Sequence, residues 1–190
     1  MPNFRQADAR SDAELVEVCN RGDARESVAA FGSLYARHRE YVLRVALRIT
    51  DDRELAADAL QEVFTYLLNQ FPPPGPGLKL TARLTTYLYP IAKNSTLSLL
   101  RKARRMAPDA IDPDALPAAV PDDSGDDLDR LLAALPPERR EVLHLRFVDG
   151  MSLDEIAAVL GIPLGTVKSR LHKAVAVLRD DPATKRYFEA

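Results

Sequence analysis

The stretch Met151-Ser-Leu-Asp-Glu-Ile-Ala-Ala-Val-Leu-Gly-Ile-Pro-Leu-Gly-Thr-Val-Lys-Ser-Arg-Leu-His-Lys-Ala174 predicts two short helices joined by a tight turn. Ser152, followed three residues later by Glu155, forms a capping box, which marks the start of a helix. Gly161 ends that helix, because a residue without a Cβ accepts the left-handed backbone of a C-terminal cap. Pro163 cannot continue the first helix but fits the first turn of another. The stretch is therefore typical of a helix-turn-helix unit.

The second helix of this unit has an apolar side and a polar side. Its apolar residues recur at spacings of four, three and four, which places them on one buried stripe: Val167, Leu171, Ala174 and Leu178. The other positions offer hydroxyl groups, an imidazole and cations, with Arg170 at the edge of the buried side: Thr166, Lys168, Ser169, Arg170, His172 and Lys173. The run from Pro163 to Arg179 contains no Asp or Glu. Such a helix suits the major groove of DNA. The alternative is a helical hairpin with a solvated basic face.

Composition and charge describe a folded chain with strongly segregated charges. The 190 residues are 46% hydrophobic and 28% charged, which is too apolar for a disordered chain. The formal net charge is only −2. However, residues 79–105 contain seven basic residues and no acid, whereas residues 106–127 contain seven acids and no base. This asymmetry indicates that nucleic acid meets one part of the chain and not another.

The sequence argues against several other classes of protein. Cys19 is the only cysteine, so neither an intrachain disulfide nor a thiolate zinc cluster is possible, and a small buried apolar role is expected for it. No run approaches ~18 consecutive apolar residues, and the N-terminus lacks the apolar segment of a signal peptide. We therefore expect a cytoplasmic protein that does not contact membranes. HExxH, a Gly-rich phosphate loop and other catalytic patterns are missing, so neither an enzyme nor a cofactor is expected.

Hydrophobic periodicity predicts helices throughout and no strands. After a loose tail at 1–10, the first helix begins at Ser11 and the second, which buries Val28 and His38, at about residue 25. Thr50 or Asp51 is expected to cap a third helix, whose apolar side extends to Leu68. A fourth is expected over about 81–105, with Pro90 causing either a kink or a helix start near Tyr89. A loop with four prolines, 71–77, joins the third helix to the fourth.

The proline-rich and acidic segment 106–126 has no apolar periodicity and is predicted to be a flexible linker. It separates an N-terminal domain, residues 11–105, from a C-terminal domain, residues 127–180. In the second domain a helix that begins at Pro136-Pro137 is expected to bury Val142, Leu143, Leu145 and Val148. The predicted fold class is all-α: two small helical domains on a flexible acidic, Pro-rich linker, the C-terminal one containing the helix-turn-helix.

The third predicted helix carries a polar patch within Asp58-Ala-Leu-Gln-Glu-Val-Phe64. Helical spacings of three, four and seven bring together Asp58, Gln61, Glu62 and Thr65. The patch offers carboxylates and an amide to a basic helical partner. A merely solvated acidic face is the alternative interpretation.

Three motifs of this chain resemble those of the extracytoplasmic-function (ECF) subfamily of bacterial RNA polymerase sigma factors, and they occur in the order expected for that subfamily. The patch on the third helix is similar to the segment with which sigma factors grip the clamp helices of core RNA polymerase. The run Tyr87-Leu-Tyr-Pro-Ile-Ala-Lys-Asn94, followed by basic residues from Leu100 to Arg105, resembles the helix that opens the strands and reads the minus-ten element. The helix-turn-helix resembles the domain that reads the minus-thirty-five element.

The resemblance implies a role for each candidate residue. Asp58, Gln61, Glu62 and Thr65 would bind core polymerase. Tyr87, Lys93, Asn94 and Arg101 would bind minus-ten DNA, with Tyr87 in the place of the family's usual Trp and with Pro90 and Ser98 as departures from its pattern. Single-stranded DNA is generally held by stacking on aromatic rings, with cations along the phosphates. The six polar residues of the last helix would read the minus-thirty-five element.

The implied function is a promoter-specificity subunit that directs core polymerase to promoters and assists initiation. Its implied partners are core RNA polymerase, promoter DNA in duplex and single-stranded form, and an anti-sigma factor. The competing hypothesis is a free-standing helix-turn-helix regulator, with the N-terminal helices as a dimerisation or sensor domain. That hypothesis predicts tight duplex binding by the isolated chain, whereas a sigma factor binds promoters weakly until core polymerase is added.

Overall fold

A computed structural model describes residues 8–21, 23–73, 75–106, 132 and 135–180, and it divides the chain into two compact units between residues 115 and 116. The described residues form helices and connecting loops, with no β-strand, so the predicted all-α fold class is confirmed. None of the described helices combines the length and the apolar character needed to cross a bilayer. The predicted linker, apart from Met106, lies outside the described residues, and the proposed domain boundaries stay predictions.

The described residues of the N-terminal unit form four helices. They are α1 (Asp12–Asn20), α2 (Ala24–Leu47), α3 (Arg53–Leu68) and α4 (Leu84–Met106). Each helix contributes side chains that lose essentially all solvent contact, including Leu15, Leu34, Val42, Val45, Val63, Leu67, Leu84 and Leu88. Burial of these apolar surfaces is the main favourable contribution to folding. The shared core fixes α3 and α4 against one another.

The helix starts follow local capping chemistry, with one correction. The predicted capping box of α1 is present: Glu14 N donates to Ser11 Oγ, and Ser11 N donates to Glu14 Oε2 at 2.6 Å. The cap of α3 is Asp52, not Thr50 or the residue that follows it. Asp52 Oδ1 accepts from the amides of residues 54 and 55 at 2.8 and 3.1 Å. Thr50 is buried, and its hydroxyl accepts from Asp52 N instead, so it cannot serve as the cap.

The segment before α1 is fastened to α2. Residues 8–10 were expected to belong to a loose tail, but Arg37 Nη2 donates to the carbonyls of Asp8 and Arg10, at 2.9 Å each. His38 is buried, and its Nε2 lies 2.8 Å from Asp12 Oδ2. Burial lowers the pKa of His38, against the opposing effect of the Asp12 carboxylate. The expectation that the second helix buries His38 is confirmed, and the partner of its ring comes from α1.

Three apolar residues that were predicted to be buried are exposed. Val28 is 63% exposed because it lies in the first turns of α2, ahead of Ala30, the first buried residue of that helix. Leu68 is 51% exposed at the end of α3, where it lines a surface groove. Val148 is exposed because it belongs to a π-helical turn, whose wider spacing takes it off the α-helical stripe.

The loop between α3 and α4 is anchored rather than a plain spacer. Phe71 and Leu78 are buried, so the proline-rich run is fixed at both ends. Asn20, in the last turn of α1, donates from Nδ2 to the Leu78 carbonyl and accepts from the Leu78 amide, both at 2.8 Å. Gly77 beside it has φ +95, a conformation that side chains rarely adopt, and a Cβ there would lie 3.2 Å from Asn20 Oδ1.

Helix α4 passes through Pro90 without interruption. The helix begins at Leu84, so the alternative start near Tyr89 is wrong, as is a start at residue 81. Pro90 has no amide hydrogen to donate to the carbonyl four residues earlier. Tyr89 is buried and packs in the core. The helix therefore accommodates an internal proline between its core positions.

The C-terminal unit has its own small core. In the part of this unit that the structure describes, the elements are α5 (Pro137–Leu143), a π-helical turn (His144–Val148), α6 (Leu153–Leu160) and α7 (Leu164–Asp180). Each of them contributes fully or nearly fully buried side chains, as do the connecting residues Leu135 and Met151: Val142, Leu145, Ile156, Val167 and Ala174. The capping box of Ser152 and Glu155 is present, and Gly161 has φ 64 in the left-handed region. The predicted helix-turn-helix, α6 and α7, is confirmed.

Candidate nucleic-acid and protein interfaces

The candidate polymerase-binding residues form an exposed patch on α3. Asp58, Gln61, Glu62 and Thr65 are all exposed, while the opposite side of the helix is buried through Ala56, Ala59, Val63 and Leu67. None of the four belongs to the core, so all are available to a partner. We call these four residues the α3 patch.

An apolar groove that sequence reasoning missed adjoins the α3 patch. It has a volume of about 450 Å³ and is lined by Phe31 and Tyr35 of α2 together with α3 residues that include Leu60, Phe64 and Leu68. The rings of Tyr35 and Phe64 lie 4.8 Å apart in an edge-to-face arrangement. Gln61 and Thr65 of the patch also line the groove. The one sequence signal for this groove was the width of the apolar stripe on α3, which includes groove residues such as Leu60 and Leu68 in addition to core residues.

Three of the four candidate minus-ten residues share one edge of α4. Tyr87, Asn94 and Arg101 are spaced by seven, which keeps them within roughly 40° of each other around the helix. Asn94 and Arg101 are exposed, and Tyr87 is half-buried. Lys93 is also half-buried, but it lies roughly 100° from Asn94 around the helix axis. The geometry therefore assembles an aromatic ring, an amide and a guanidinium, and it places Lys93 on a different edge.

The phenol of Tyr87 has a neighbour on α3, Tyr66, that the sequence did not single out. Burial, and secondarily the adjacent Tyr66 phenol, raises the pKa of Tyr87 to about 12, so the group stays protonated at neutral pH. Tyr66 itself is 47% exposed. Sequence periodicity carries no signal for this contact because it joins two helices.

The candidate residues of α7 project from a helix that buries its other side. Lys168, Ser169, His172 and Lys173 are exposed, whereas Thr166 and Arg170 are half-buried at the edges of the exposed face. The opposite side packs through Val167, Ala174 and Leu178. Leu171, which was predicted on that stripe, is only partly buried against the same core. The candidate residues of this face span about two helical turns.

The electrostatic character of the helices differs sharply. Both α4 and residues 164–179 of α7 contain Lys and Arg but no acid, while α3 carries Glu54, Asp58 and Glu62. Cations beside hydroxyl and amide groups suit phosphates and base edges. Carboxylates on α3 suit a basic protein surface. Within the described residues, no group of three or more His, Cys, Asp or Glu side chains is placed to hold a metal ion.

These features define an all-helical protein with one helix-turn-helix unit and one unit that exposes an acidic and a basic helix. Family models agree: sigma-70 region 2 matches residues 34–106 and sigma-70 region 4 matches residues 125–178. The chain is 36% identical over 165 residues to the ECF RNA polymerase sigma factor SigL of Mycobacterium tuberculosis, a match that covers 83% of this chain and 92% of SigL. The chain belongs to the ECF family of RNA polymerase sigma factors.

Other similar proteins fit this assignment. The chain is 33% identical over 164 residues to the ECF sigma factor SigE of Mycolicibacterium smegmatis, covering 81% of this chain but only 62% of that protein. The sigma factor RpoE of Bartonella quintana, solved with the anti-sigma factor NepR, has a similar fold: TM-score 0.59, 22% identity, 79% of this chain and 94% of that chain. CnrH, solved with the cytosolic domain of CnrY, matches with a TM-score of 0.57 at 25% identity over 88% and 94% of the two chains.

Proposed function

We propose that this sigma factor directs core RNA polymerase to specific promoters and assists the start of transcription. The observation that carries the proposal is the segregation of charge among exposed helices. An acidic helix, α3, lies beside an acid-free basic helix, α4, in one unit, and a second acid-free basic helix, α7, completes a helix-turn-helix in the other. One surface thus suits a protein partner, and two suit DNA.

In the N-terminal unit, α3 would bind core polymerase and α4 would bind minus-ten DNA. The α3 patch is exposed, and the apolar groove beside it could bury a side chain of the partner. On α4, Tyr87 offers a face for stacking, Asn94 offers hydrogen bonds, and Arg101 offers a charge for phosphate. Lys93 would contact DNA from its own edge of the helix. Binding of unpaired bases along this edge would favour the open state of the duplex.

In the C-terminal unit, α7 would enter the major groove at the minus-thirty-five element. Four of its six candidate residues are exposed, and they include hydrogen-bond donors of the kind that read base edges: Lys168, Ser169, His172 and Lys173. Lys and Arg bind guanine edges through O6 and N7, while hydroxyl groups can form hydrogen bonds with several different bases. Gly161 fixes the turn that sets the angle of this helix.

The proposal assigns no catalytic step to this chain and places it in the cytoplasm with RNA polymerase. It also includes an inhibitory anti-sigma partner. Support for that partner comes from RpoE of Bartonella quintana, which was solved with the anti-sigma factor NepR. The exposed acidic and basic helices of the N-terminal unit offer surfaces that such a partner could cover.

The deciding experiment is run-off transcription with purified core polymerase on promoter DNA, with and without this chain. We expect specific transcripts only when the chain is present, and weak promoter binding by the chain alone. Tight binding of the isolated chain to duplex DNA, without stimulation of polymerase, would instead favour a free-standing regulator.

The assignment of the α3 patch has its own test. Replacing Gln61 and Glu62 together with Ala should weaken binding to core polymerase by about tenfold, because exposed polar partners at an interface are lost. The circular-dichroism spectrum should not change, since both side chains are exposed. Glu40→Ala, an exposed carboxylate on α2, is the matched control. Unchanged affinity of the double variant for core polymerase would remove this assignment.

A further inference from the structure

The apolar groove beside the α3 patch leaves hydrophobic surface open on both of its walls. Tyr35 on the α2 wall is 38% exposed, and Leu68 on the α3 wall is 51% exposed. The aromatic rings that line the groove already pack edge to face: the centroids of Phe31 and Phe64 are 6.3 Å apart, and those of Tyr35 and Phe64 are 4.8 Å apart. Exposed apolar surface of this kind marks a docking site. A further aromatic ring suits it, because such rings pack favourably with one another.

The rim of the groove on α3 is acidic. Asp58 is exposed and stands three residues before Gln61, which lines the groove. Glu54 is also exposed and stands three residues before Ala57, another lining residue. Residues three apart are neighbours on a helix surface, so both carboxylates lie beside the groove. An occupant that carries an aromatic ring next to a cation therefore matches the groove in polarity and in charge.

The seven residues that precede Asp8 carry these two features side by side. Their sequence is Met-Pro-Asn-Phe-Arg-Gln-Ala, with Phe4 next to Arg5 and no acid. These seven lie outside the described residues, but the point where they join the unit is described. Asp8 Oδ2 accepts a hydrogen bond from Ser33 Oγ at 3.1 Å, and the Asp8 carbonyl accepts one from Arg37. The segment therefore joins the unit on α2, the helix that forms one wall of the groove.

The groove lies within reach of Phe4. Ser33 and the groove residue Tyr35 are separated by roughly 160° around α2, an arc of roughly 15 Å at the surface of a helix. Small residues occupy that arc and leave it open: Ala29, Gly32 and Ala36. The four residues from Asp8 back to Phe4 span at most about 14 Å when extended. The benzyl side chain reaches further, so an extended segment brings the Phe4 ring to the groove.

An occupant of the groove would also cover part of the α3 patch, because Gln61 and Thr65 belong to both. We propose that residues 1–7 form an autoinhibitory segment: Phe4 docks in the apolar groove with Arg5 at its acidic rim, and the docked segment competes with core polymerase. The docking involves the N-terminal unit alone. Its effect on polymerase rests on the proposed function of the α3 patch.

The first test detects the docked segment in the full chain. Because the chain contains no tryptophan, Phe4→Trp introduces a single fluorescent reporter. We expect its emission at a shorter wavelength, and its quenching by iodide weaker, than in a synthetic peptide of residues 1–10 with the same substitution. Adding Leu68→Ser, which removes apolar surface from the groove, should move both properties towards those of the peptide. The matched control is Val177→Ser, at an exposed valine of α7, and it should change neither property.

The second test measures the affinity of the full chain for purified core polymerase. Phe4→Ser should bind about three- to tenfold more tightly than the wild type, the gain expected when a segment that covers the site in roughly 70–90% of the molecules is released. Gln6→Ser, a polar substitution in the same segment, is the control and should bind like the wild type.

Four results would overturn the inference. Emission equal to that of the peptide would exclude docking, and emission unaffected by Leu68→Ser would place the segment elsewhere. Quenching that depends on protein concentration would show that the segment docks on a second copy of the chain. Equal affinity of Phe4→Ser and the wild type for core polymerase would exclude autoinhibition. If the wild-type chain and Phe4→Ser both failed to bind core polymerase, the proposed function and the autoinhibition would fail, while the fluorescence would still decide whether Phe4 docks.

Discussion

Helices α4 and α7 are both basic, both free of acids over their functional length, and both proposed to bind DNA, yet they are built differently. On α7, four of six candidate residues are exposed and the core contacts lie on the opposite side. On α4, two of four candidates, Tyr87 and Lys93, are half-buried. The difference fits the proposed DNA targets, since a duplex is read by projecting side chains, whereas an unstacked base needs a pocket with walls.

This contrast implies that the two helices respond differently to substitution. A change on the outer face of α7 should alter DNA binding and leave folding intact. A change on α4 should often affect both, because its candidate DNA edge and its core positions are interleaved along the same turns.

Replacing Leu88 with Ala should lower the free energy of unfolding of the N-terminal unit by about 2–5 kcal/mol, the usual cost of a cavity at a fully buried leucine. Chemical denaturation followed by circular dichroism measures this loss. The matched substitution on α7, Leu171→Ala, removes a partly buried side chain and should cost less. A loss below about 1 kcal/mol for Leu88→Ala would contradict the claim that α4 is a major part of the core of its unit.

Replacing Pro90 with Ala should raise the free energy of unfolding by about 2–3 kcal/mol, because it restores an amide donor inside the helix and removes a ring clash. The same denaturation experiment applies. A lower stability would mean instead that the Pro90 ring is required by its surroundings.

Replacing Lys173 with Ala should cost about 1–3 kcal/mol of binding to the minus-thirty-five element if its ammonium group reads a base edge. Binding is measured on the cognate element and on a scrambled duplex at the same salt concentration. The control is Arg179→Ala, since Arg179 is an exposed cation in the last turn of α7. This variant should bind both duplexes more weakly, and by the same factor. An equal loss on both duplexes for Lys173→Ala would show that it contacts only phosphate.

Replacing Gly161 with Ala should lower the stability of the C-terminal unit by about 1 kcal/mol, since residue 161 has φ 64 and a side chain disfavours that conformation. No heavy atom lies within 4 Å of the added Cβ, so the cost is purely one of backbone conformation. Gly165→Ala, with equally open space but inside α7, should be neutral or stabilising. Equal effects at the two glycines would refute this account of the turn.

Features that depend on neighbouring residues in the chain could be predicted from the sequence. The helix-turn-helix depends on local chemistry, namely the capping box at Ser152, the left-handed Gly161 and the regular stripe of α7, so it was predictable from neighbouring residues. The all-α class and the α3 patch were likewise accessible through helical spacing.

What escaped prediction depends on contacts between distant parts of the chain. Tyr66 and Tyr87 are brought together only when α3 packs against α4, and the groove beside the α3 patch needs Phe31 and Tyr35 from α2. Val28 and Leu68 were misjudged because periodicity identifies an apolar side but does not say how much of it a neighbour covers. The separation of Lys93 from Asn94 was accessible from geometry, but adjacency in the motif suggested a single site.

Two hydrogen bonds join Asn20 to Leu78, which lies 58 positions further along the chain. They hold the proline-rich loop that leads into α4 against α1, a helix that bears no candidate DNA residue. Whenever α1 detaches, that loop loses both of these bonds at once. Hydrogen exchange at the Leu78 amide would thus report the opening of a helix nearly sixty residues away.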